Sequence, residues 1–242
     1  MGSVLVPARR HDPEWMDRTD NPRHEVEGAL DDIRAVNRFL RGSSILRDAV
    51  RPYLESAPAG AELTILDVGT GGGDLPAALA DEARRLNRKV RIVGVDRDPA
   101  AIDYARRRVA GRPEIEIMRA DAAALPIELR SFDLVVASMF LHHFGHRTIV
   151  RFLAEFLKIS RRAVLVNDLR RHWVPWAFIA ATSRLTRRHP MFVHDAPLSV
   201  LRGFTDTELR CAGEEAGAST TTVRRRFPYR LLLELTPGRV DS

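Results

Sequence analysis

The residues able to do chemistry cluster behind short apolar runs. Leu63 to Asp74 reads LTILDVGTGGGD: a strand-like run closed by Asp67, then Gly69-Thr70-Gly71-Gly72-Gly73, then a helix-like stretch from Leu75. Glycines permit a tight turn and a close approach of ligand to backbone, and the following helix points free N–H groups at the same spot. A dinucleotide loop wants Gly where Asp74 stands. Here an acid precedes the glycines, and a carboxylate suits a cationic amine better than a pyrophosphate. Asp96 ends the next apolar run, where it can accept both hydroxyls of a ribose. Asp121 lies just past a third run, in reach of the exocyclic amine of an adenine. Together they describe a seat for a nucleoside that carries an amino acid.

A second group follows the fourth apolar run, FDLVVAS, which ends at Ser138 and continues through Met139. His142 and His143 stand there as candidate catalytic bases, histidine being the side chain that titrates near neutrality. His194-Asp195 is a further polar pair. Arg170 and Arg171 could bind an acidic group of a substrate. His142, His143 and His146 invite a metal reading, but adjacent histidines rarely point the same way. No Cys or carboxylate joins them in sequence, so no metal is expected.

These residues need a scaffold that brings them to one rim. Strand-like runs near 63–68, 90–96, 115–118, 132–138 and 163–167 alternate with helix-like stretches 75–86, 99–109 and 147–157. That alternation predicts an α/β fold, a Rossmann-like doubly wound sheet with helices on both faces and ligands at the carboxyl ends of its strands. Thr205 and Glu208 fit a capping box opening a helix over 203–217. Runs 220–226 and 231–235 close the chain as an antiparallel pair at the sheet edge, making seven mostly parallel strands. Residues 1–22, with three prolines, read as a flexible arm. In 23–60, Val26, Leu30, Ile33, Val36, Phe39 and Leu40 form an amphipathic stripe. It predicts a helical lid, broken at Gly42-Ser43-Ser44. The domain proper is 61–242, with a helical insert at 172–203 that carries Trp173, Trp176 and Phe178, then Arg184, Arg187 and Arg188.

Composition narrows the classes. Apolar residues make 45% of 242, enough for one substantial core. The net charge is +6, nearly all of it from Arg, with Asp and Glu interspersed. That pattern favours solvated helix faces over a nucleic-acid surface. A single cysteine, Cys211, excludes an intrachain disulfide and suits the cytoplasm. No run approaches the length of a membrane span, and the N-terminal apolar run is too short for a signal peptide.

The segments LDVGTGGGD (66–74), GVDRDP (94–99), RADAAALP (119–126) and FDLVVASMFLHHF (132–144) resemble those of class I S-adenosylmethionine-dependent methyltransferases. They are most similar to the branch grouped with ubiquinone and menaquinone biosynthesis. The resemblance covers about residues 61 to 170. It implies S-adenosyl-L-methionine as cofactor, with Gly69 and Gly71 against the methionine part and Asp67 near its amine. It implies Asp96 on the ribose, Asp121 and Ala122 flanking the adenine, and Met139 beside them. Thr70, Asp74, Arg97 and Ser138 complete the implied cofactor set. His142 and His143 are the implied bases, and Arg170 and His194 the implied substrate contacts. The expected reaction is O-methylation of a small aromatic, polyketide-like or quinone-like molecule of secondary metabolism. No nucleic-acid partner is expected, and peripheral membrane contact is expected if the acceptor is lipidic. The rivals are C-methylation of a quinone precursor, a nucleic-acid or protein methyltransferase, and a cofactor-binding protein without methyl transfer.

Overall fold

The computed structural model describes residues 6–18, 20–39, 42–128, 130–185 and 188–238. Leu40 and Arg187, named above, lie outside them. Two helices lead, α1 (Arg23–Phe39) and α2 (Gly42–Glu55). The alternation then runs β1 (Glu62–Val68), α3 (Asp74–Arg85), β2 (Lys89–Asp96), α4 (Pro99–Arg108), β3 (Ile115–Arg119), β4 (Phe132–Ser138), α5 (His146–Ile159) and β5 (Ser160–Leu169). The insert is α6 (Trp173–Leu185) and α7 (Pro190–Arg202), and α8 (Asp206–Glu215), β6 (Thr220–Arg226) and β7 (Arg230–Thr236) close the chain. The seven strands are ordered β3-β2-β1-β4-β5-β7-β6. Only β7 runs against its neighbours, one place in from the β6 edge.

Strand alternation sorts the core. Leu63 and Ile65 of β1 face a layer built with α2, α3 and α4, while Leu66 and Val68 face α5 and α8. Each fully buried aliphatic side chain contributes roughly 1.5–3 kcal/mol, which is why β1, buried on both faces, reads as a continuous apolar run. Register places the polar ends together: Val68 pairs with Val95 and Ala137, Asp96 with Arg119, and Ser138 with Asn167. Local signals hold where they carry a mechanism. Asp98 caps α4 through Ala100 and Ala101, with Pro99 in the first turn. The Thr205–Glu208 capping box opens α8.

The expected lid divides into two parts with different work. Helix α2 buries Ile45, Leu46, Val50 and Leu54 in the main core and is a layer of the sandwich. Its first turn absorbs Gly42-Ser43-Ser44, which the sequence suggested as a break. Helix α1 packs Val26 and Leu30 on Ala101 and Tyr104 of α4. A Cβ at Gly71 would stand 3.8 Å from Leu30, so α1 covers the glycine loop.

The N-terminal segment departs from expectation. Over 6–18 it is no loose arm: Arg171 Nε donates to Pro7 O (2.8 Å), Arg9 Nε to Arg202 O (2.8 Å) and Arg10 N to Leu201 O (3.1 Å). Asp195 of α7 accepts from the N–H groups of Trp15 and Met16 at 2.8 and 2.9 Å, holding a single 3-10 turn at Trp15–Asp17. Low hydrophobicity misleads here because the segment is fixed by polar bonds to arginines and a carboxylate, not by an apolar face.

Candidate functional site

The glycine loop leaves β1 with Gly69 at φ +73 and Gly73, the residue before α3, at φ +75. Both are left-handed conformations that favour glycine. A Cβ on Gly69 would also collide with the Phe140 ring. Asp67, beneath the loop, is 1% exposed. One oxygen accepts from Thr70 Oγ1 at 2.7 Å, and the other, Oδ1, is buried with no partner. Burial pushes the carboxyl up to about 7, with Thr70 opposing and Asp96 adding to the rise. An orphaned buried carboxylate oxygen beside a glycine cradle is what the ammonium of an amino acid would satisfy.

Asp96, at the end of β2, ties down the same loop. Its Oδ2 accepts from Gly71 N–H (2.9 Å) and its Oδ1 from Asp98 N–H (3.1 Å). Burial raises its pKa, and these N–H groups oppose the rise. Each oxygen keeps lone-pair capacity for a ribose hydroxyl. Asp121 accepts from Ala123 N–H (2.9 Å) in an exposed loop, which places Ala122 at the same rim. Ser138 Oγ accepts from Asn167 Nδ2 (3.2 Å). Met139 takes φ +56, and its sulfur contacts the Arg230 guanidinium. In the strand order, Asp96 at the end of β2 and Asp67, Gly69, Thr70 and Gly71 at β1 stand between Asp121 and Ala122 after β3 on one side and Ser138 and Met139 at the end of β4 on the other.

Two expected cofactor residues are otherwise engaged. Asp74 lies 2.9 Å from Arg108 and 3.7 Å from Arg34, so its carboxylate ties α3 to α4 and α1. Arg97 donates to Asp17 O at 3.0 Å and holds the N-terminal segment instead.

The histidines occupy a 3-10 turn, Leu141–His143, after β4. His142 is buried. Its Nδ1 stands 2.8 Å from Asp168 Oδ1 at the end of β5, and Asp168 Oδ2 accepts from Leu141 N–H at 2.9 Å. Burial alone would raise the Asp168 pKa, but the His142 imidazole and the Leu169 N–H bring it below its ordinary value. The other ring nitrogen of His142 is Nε2. That atom faces Glu14 Oε1 at 3.7 Å. His143 Nδ1 is 2.7 Å from Asp17 Oδ1 and 3.8 Å from Glu14 Oε2. Burial lowers the His143 pKa, but Asp17 and Glu14 outweigh it and leave the value raised.

Arg202 of α7 closes this group. It donates to His142 O (3.1 Å), His143 O (2.6 Å) and Asp12 O (2.9 Å), and pairs with Asp17 Oδ2 at 2.9 Å. Glu14 Oε1 also accepts from Ser199 Oγ at 2.9 Å. The sequence suggested that no carboxylate joins the histidine pair. The fold brings one: Glu14, His142 and His143 offer donor atoms within 4.8 Å of one another. Arg202 stands 3.7 Å from Glu14 and 2.9 Å from Asp17, so a guanidinium faces both carboxylates. His146 is elsewhere, paired with Glu215 on the surface.

The expected substrate contacts change role. His194 bonds Asp195 (2.7 Å) and stacks on Trp15 at 4.2 Å, so the pair anchors the N-terminal segment. Arg170 stands over the Tyr229 ring at 6.0 Å, facing the β6–β7 hairpin. Arg171, read from the sequence as a candidate contact for an acidic group, is buried with Pro7 O, Gly203 O and Glu208. The residues that sequence reasoning missed are Glu14, Asp17, Asp168 and Arg202. Asp168 had a signal, being another carboxylate near the carboxyl end of a strand, as Asp67 and Asp96 are. Glu14 and Asp17 offered only the three-residue spacing of a capping box.

Residues 65–162 match the family described as methyltransferase domain. Over 94 residues, 38% of this chain, it is 37% identical to a release factor glutamine methyltransferase of Mycobacterium tuberculosis, covering 31% of that protein. Over 114 residues, 46% of this chain, it is 35% identical to a demethylmenaquinone methyltransferase of Thermus thermophilus, covering 48% of that protein. The chain thus spans between about a third and a half of the length of these two relatives. In three dimensions it is similar to magnesium protoporphyrin IX methyltransferase of Synechocystis PCC 6803 with bound S-adenosylmethionine. The TM-score is 0.55 at 17% identity, over 82% of this chain and 81% of that one, a likeness of fold. With the glycine loop, the orphaned Asp67 oxygen and this sheet order in place, residues 65–162 are a methyltransferase domain of the class I S-adenosylmethionine-dependent kind.

Proposed function

We propose that this protein transfers the methyl group of S-adenosylmethionine to a hydroxyl of a small molecule with an apolar body, aromatic, polyketide-like or quinone-like. The observation that carries the reading is the buried Asp168–His142 pair at 2.8 Å, set on the strand-end rim beside Met139. The cofactor, when bound, supplies a methyl carbon already activated by a sulfonium. The chain must then align the acceptor, exclude water and receive one proton. Asp168 would hold Nδ1–H of His142, leaving Nε2 to take the hydroxyl proton as the methyl group passes from the sulfonium sulfur, which leaves as a neutral thioether, to the acceptor oxygen. His143, Glu14 and Arg202 fix the turn that carries His142. Glu14 gives way at Nε2 when the acceptor enters. The single thiol, Cys211, is free, which suits action in a reducing cytoplasm.

The names of two similar proteins support a small acceptor, demethylmenaquinone in one and magnesium protoporphyrin IX in the other. The first also supports a second reading, carbon methylation of a quinone precursor, in which His142 removes a ring proton. Incubation with methyl-labelled S-adenosylmethionine and an extract of the source cell tests the proposal. Label should appear in a small organic product as a methyl ether. Label confined to protein or nucleic acid would sink the proposal, and a ring-carbon methyl would favour the second reading.

A further inference from the structure

Helix α6 presents its apolar side outward. Trp173, Val174, Ala177, Phe178, Ala181 and Leu185 are all exposed. Their spacing, i, i+1, i+4, i+5, i+8 and i+12, is one continuous helical stripe. Phe178 is 55% exposed and Leu185 80%. The inward face carries Ala180 and Ser183, the reverse of the usual arrangement for a surface helix. Phe227, 89% exposed, stands at the tip of the β6–β7 hairpin. Tyr229 of that hairpin meets the residue before α6, its ring 5.1 Å from that of His172.

Positive charge rims this surface. There is no Asp or Glu between Asp168 and Asp195, nor between Glu215 and Glu234. Arg170 stands over Tyr229 within electrostatic reach of Asp206, Arg184 bonds the Ala180 carbonyl, and Arg226 bonds the Arg225 carbonyl. None of the three is in an ion pair among the described residues. A second copy of the chain docked face to face here would set these arginines against one another. An anionic lipid surface would accept both the aromatic stripe and the arginines.

We propose that α6 and the β6–β7 hairpin tip form a docking face for an anionic bilayer surface, with Trp173, Phe178 and Phe227 entering the headgroup–acyl boundary. The helix starts four residues after Leu169, at the rim that holds Asp168 and His142, and α7 behind it carries Arg202. Docking this face sets the acceptor side of the site against the membrane. The proposal rests on the apolar-acceptor reading for its purpose, but binding to lipid is measured without turnover.

The test uses the full chain with phosphatidylcholine vesicles, with and without phosphatidylglycerol, read by sedimentation and by tryptophan quenching from lipids brominated in their acyl chains. The chain should sediment with the anionic vesicles on the order of tenfold or more better than with neutral ones, less so at high salt. W173A/F178A/F227A should weaken binding on the order of tenfold, and W173A alone should remove most of the quenching. R184E/R226E should erase the preference for phosphatidylglycerol. Unchanged S-adenosylmethionine affinity in each variant shows that it folds. Failure of the wild type to sediment with anionic vesicles would overturn the proposal, as would equal binding by the triple variant. Self-association abolished by the triple variant without lipid would overturn it in favour of a second copy. In each case intact cofactor binding leaves the methyltransferase reading standing.

Discussion

Asp67→Asn separates what the buried carboxylate does to the fold from what it does for the ligand. The carboxyl is pushed up from 3.8 to about 7, mainly by burial. Its folded value lies above its unfolded one, so the native state favours the protonated form. The penalty is absent below about pH 4, grows as pH rises to about 7 and is complete above that. A rise of about three pH units at about 1.4 kcal/mol each gives about 4 kcal/mol at pH 8. Asparagine keeps an acceptor for Thr70 Oγ1 and removes the charge. The ligand-free variant should therefore outlast the wild type in urea at pH 8 by a few kcal/mol, with the gap narrowing steadily to pH 5. The same change should weaken S-adenosylmethionine binding by tenfold or more, about 1.4 kcal/mol, because the ligand's ammonium loses its counter-charge. Binding to the wild type below about pH 7 should also release a proton, seen as a buffer-dependent heat. A stability gap that does not change with pH would refute the reasoning, and so would a variant less stable than wild type at pH 8.

Three further outcomes follow from the histidine group. His142→Ala should lower turnover by about 10²–10⁴-fold, the range of general base catalysis, and leave cofactor affinity within twofold or so. Equal rates in steady-state assays would remove the base. Glu14→Gln should slow turnover and loosen residues 9–17, read as faster amide exchange, because Glu14 is held by Ser199 and lies 3.7 Å from Arg202. The raised pKa of His143 means that its attraction for Asp17 and Glu14 is complete below about pH 6.5 and lost as pH rises through the folded value. Exchange over the same segment should accelerate above neutrality beyond its chemical rate. His143→Gln should flatten that dependence, and an unchanged profile in the variant would assign it to another group.

The sheet was legible because its signals are local. Apolar runs bounded by Asp67, Asp96 and Ser138 fall at strand ends, and the glycine loop has one backbone solution. The cofactor half of the site lies within contiguous motifs, so the orphaned oxygen of Asp67 appears where the pattern placed a cation. The surroundings of His142 and His143 were not legible, because they are assembled from residues up to 190 positions apart. Arg202 reaches Asp12 and Asp17 through side-chain bonds that leave no periodicity. His194-Asp195 was visible as a polar pair, but its work, capping Trp15 and Met16, depends on where α7 meets the N-terminal segment. The apolar stripe of α6 reads as ordinary core in sequence; only the fold shows it facing outward.

Calorimetric titration of S-adenosylmethionine into the wild type and Asp96→Ala tests the central claim most directly. Asp96 fastens the glycine loop through Gly71 N–H and is the acceptor expected for the ribose. A hydrogen bond to a charged group contributes about 1.5–3 kcal/mol. The account predicts one saturable site in the wild type and affinity lower by about 10- to 100-fold in the variant. Equal affinity in the two proteins, or no saturable binding to the wild type, would contradict it.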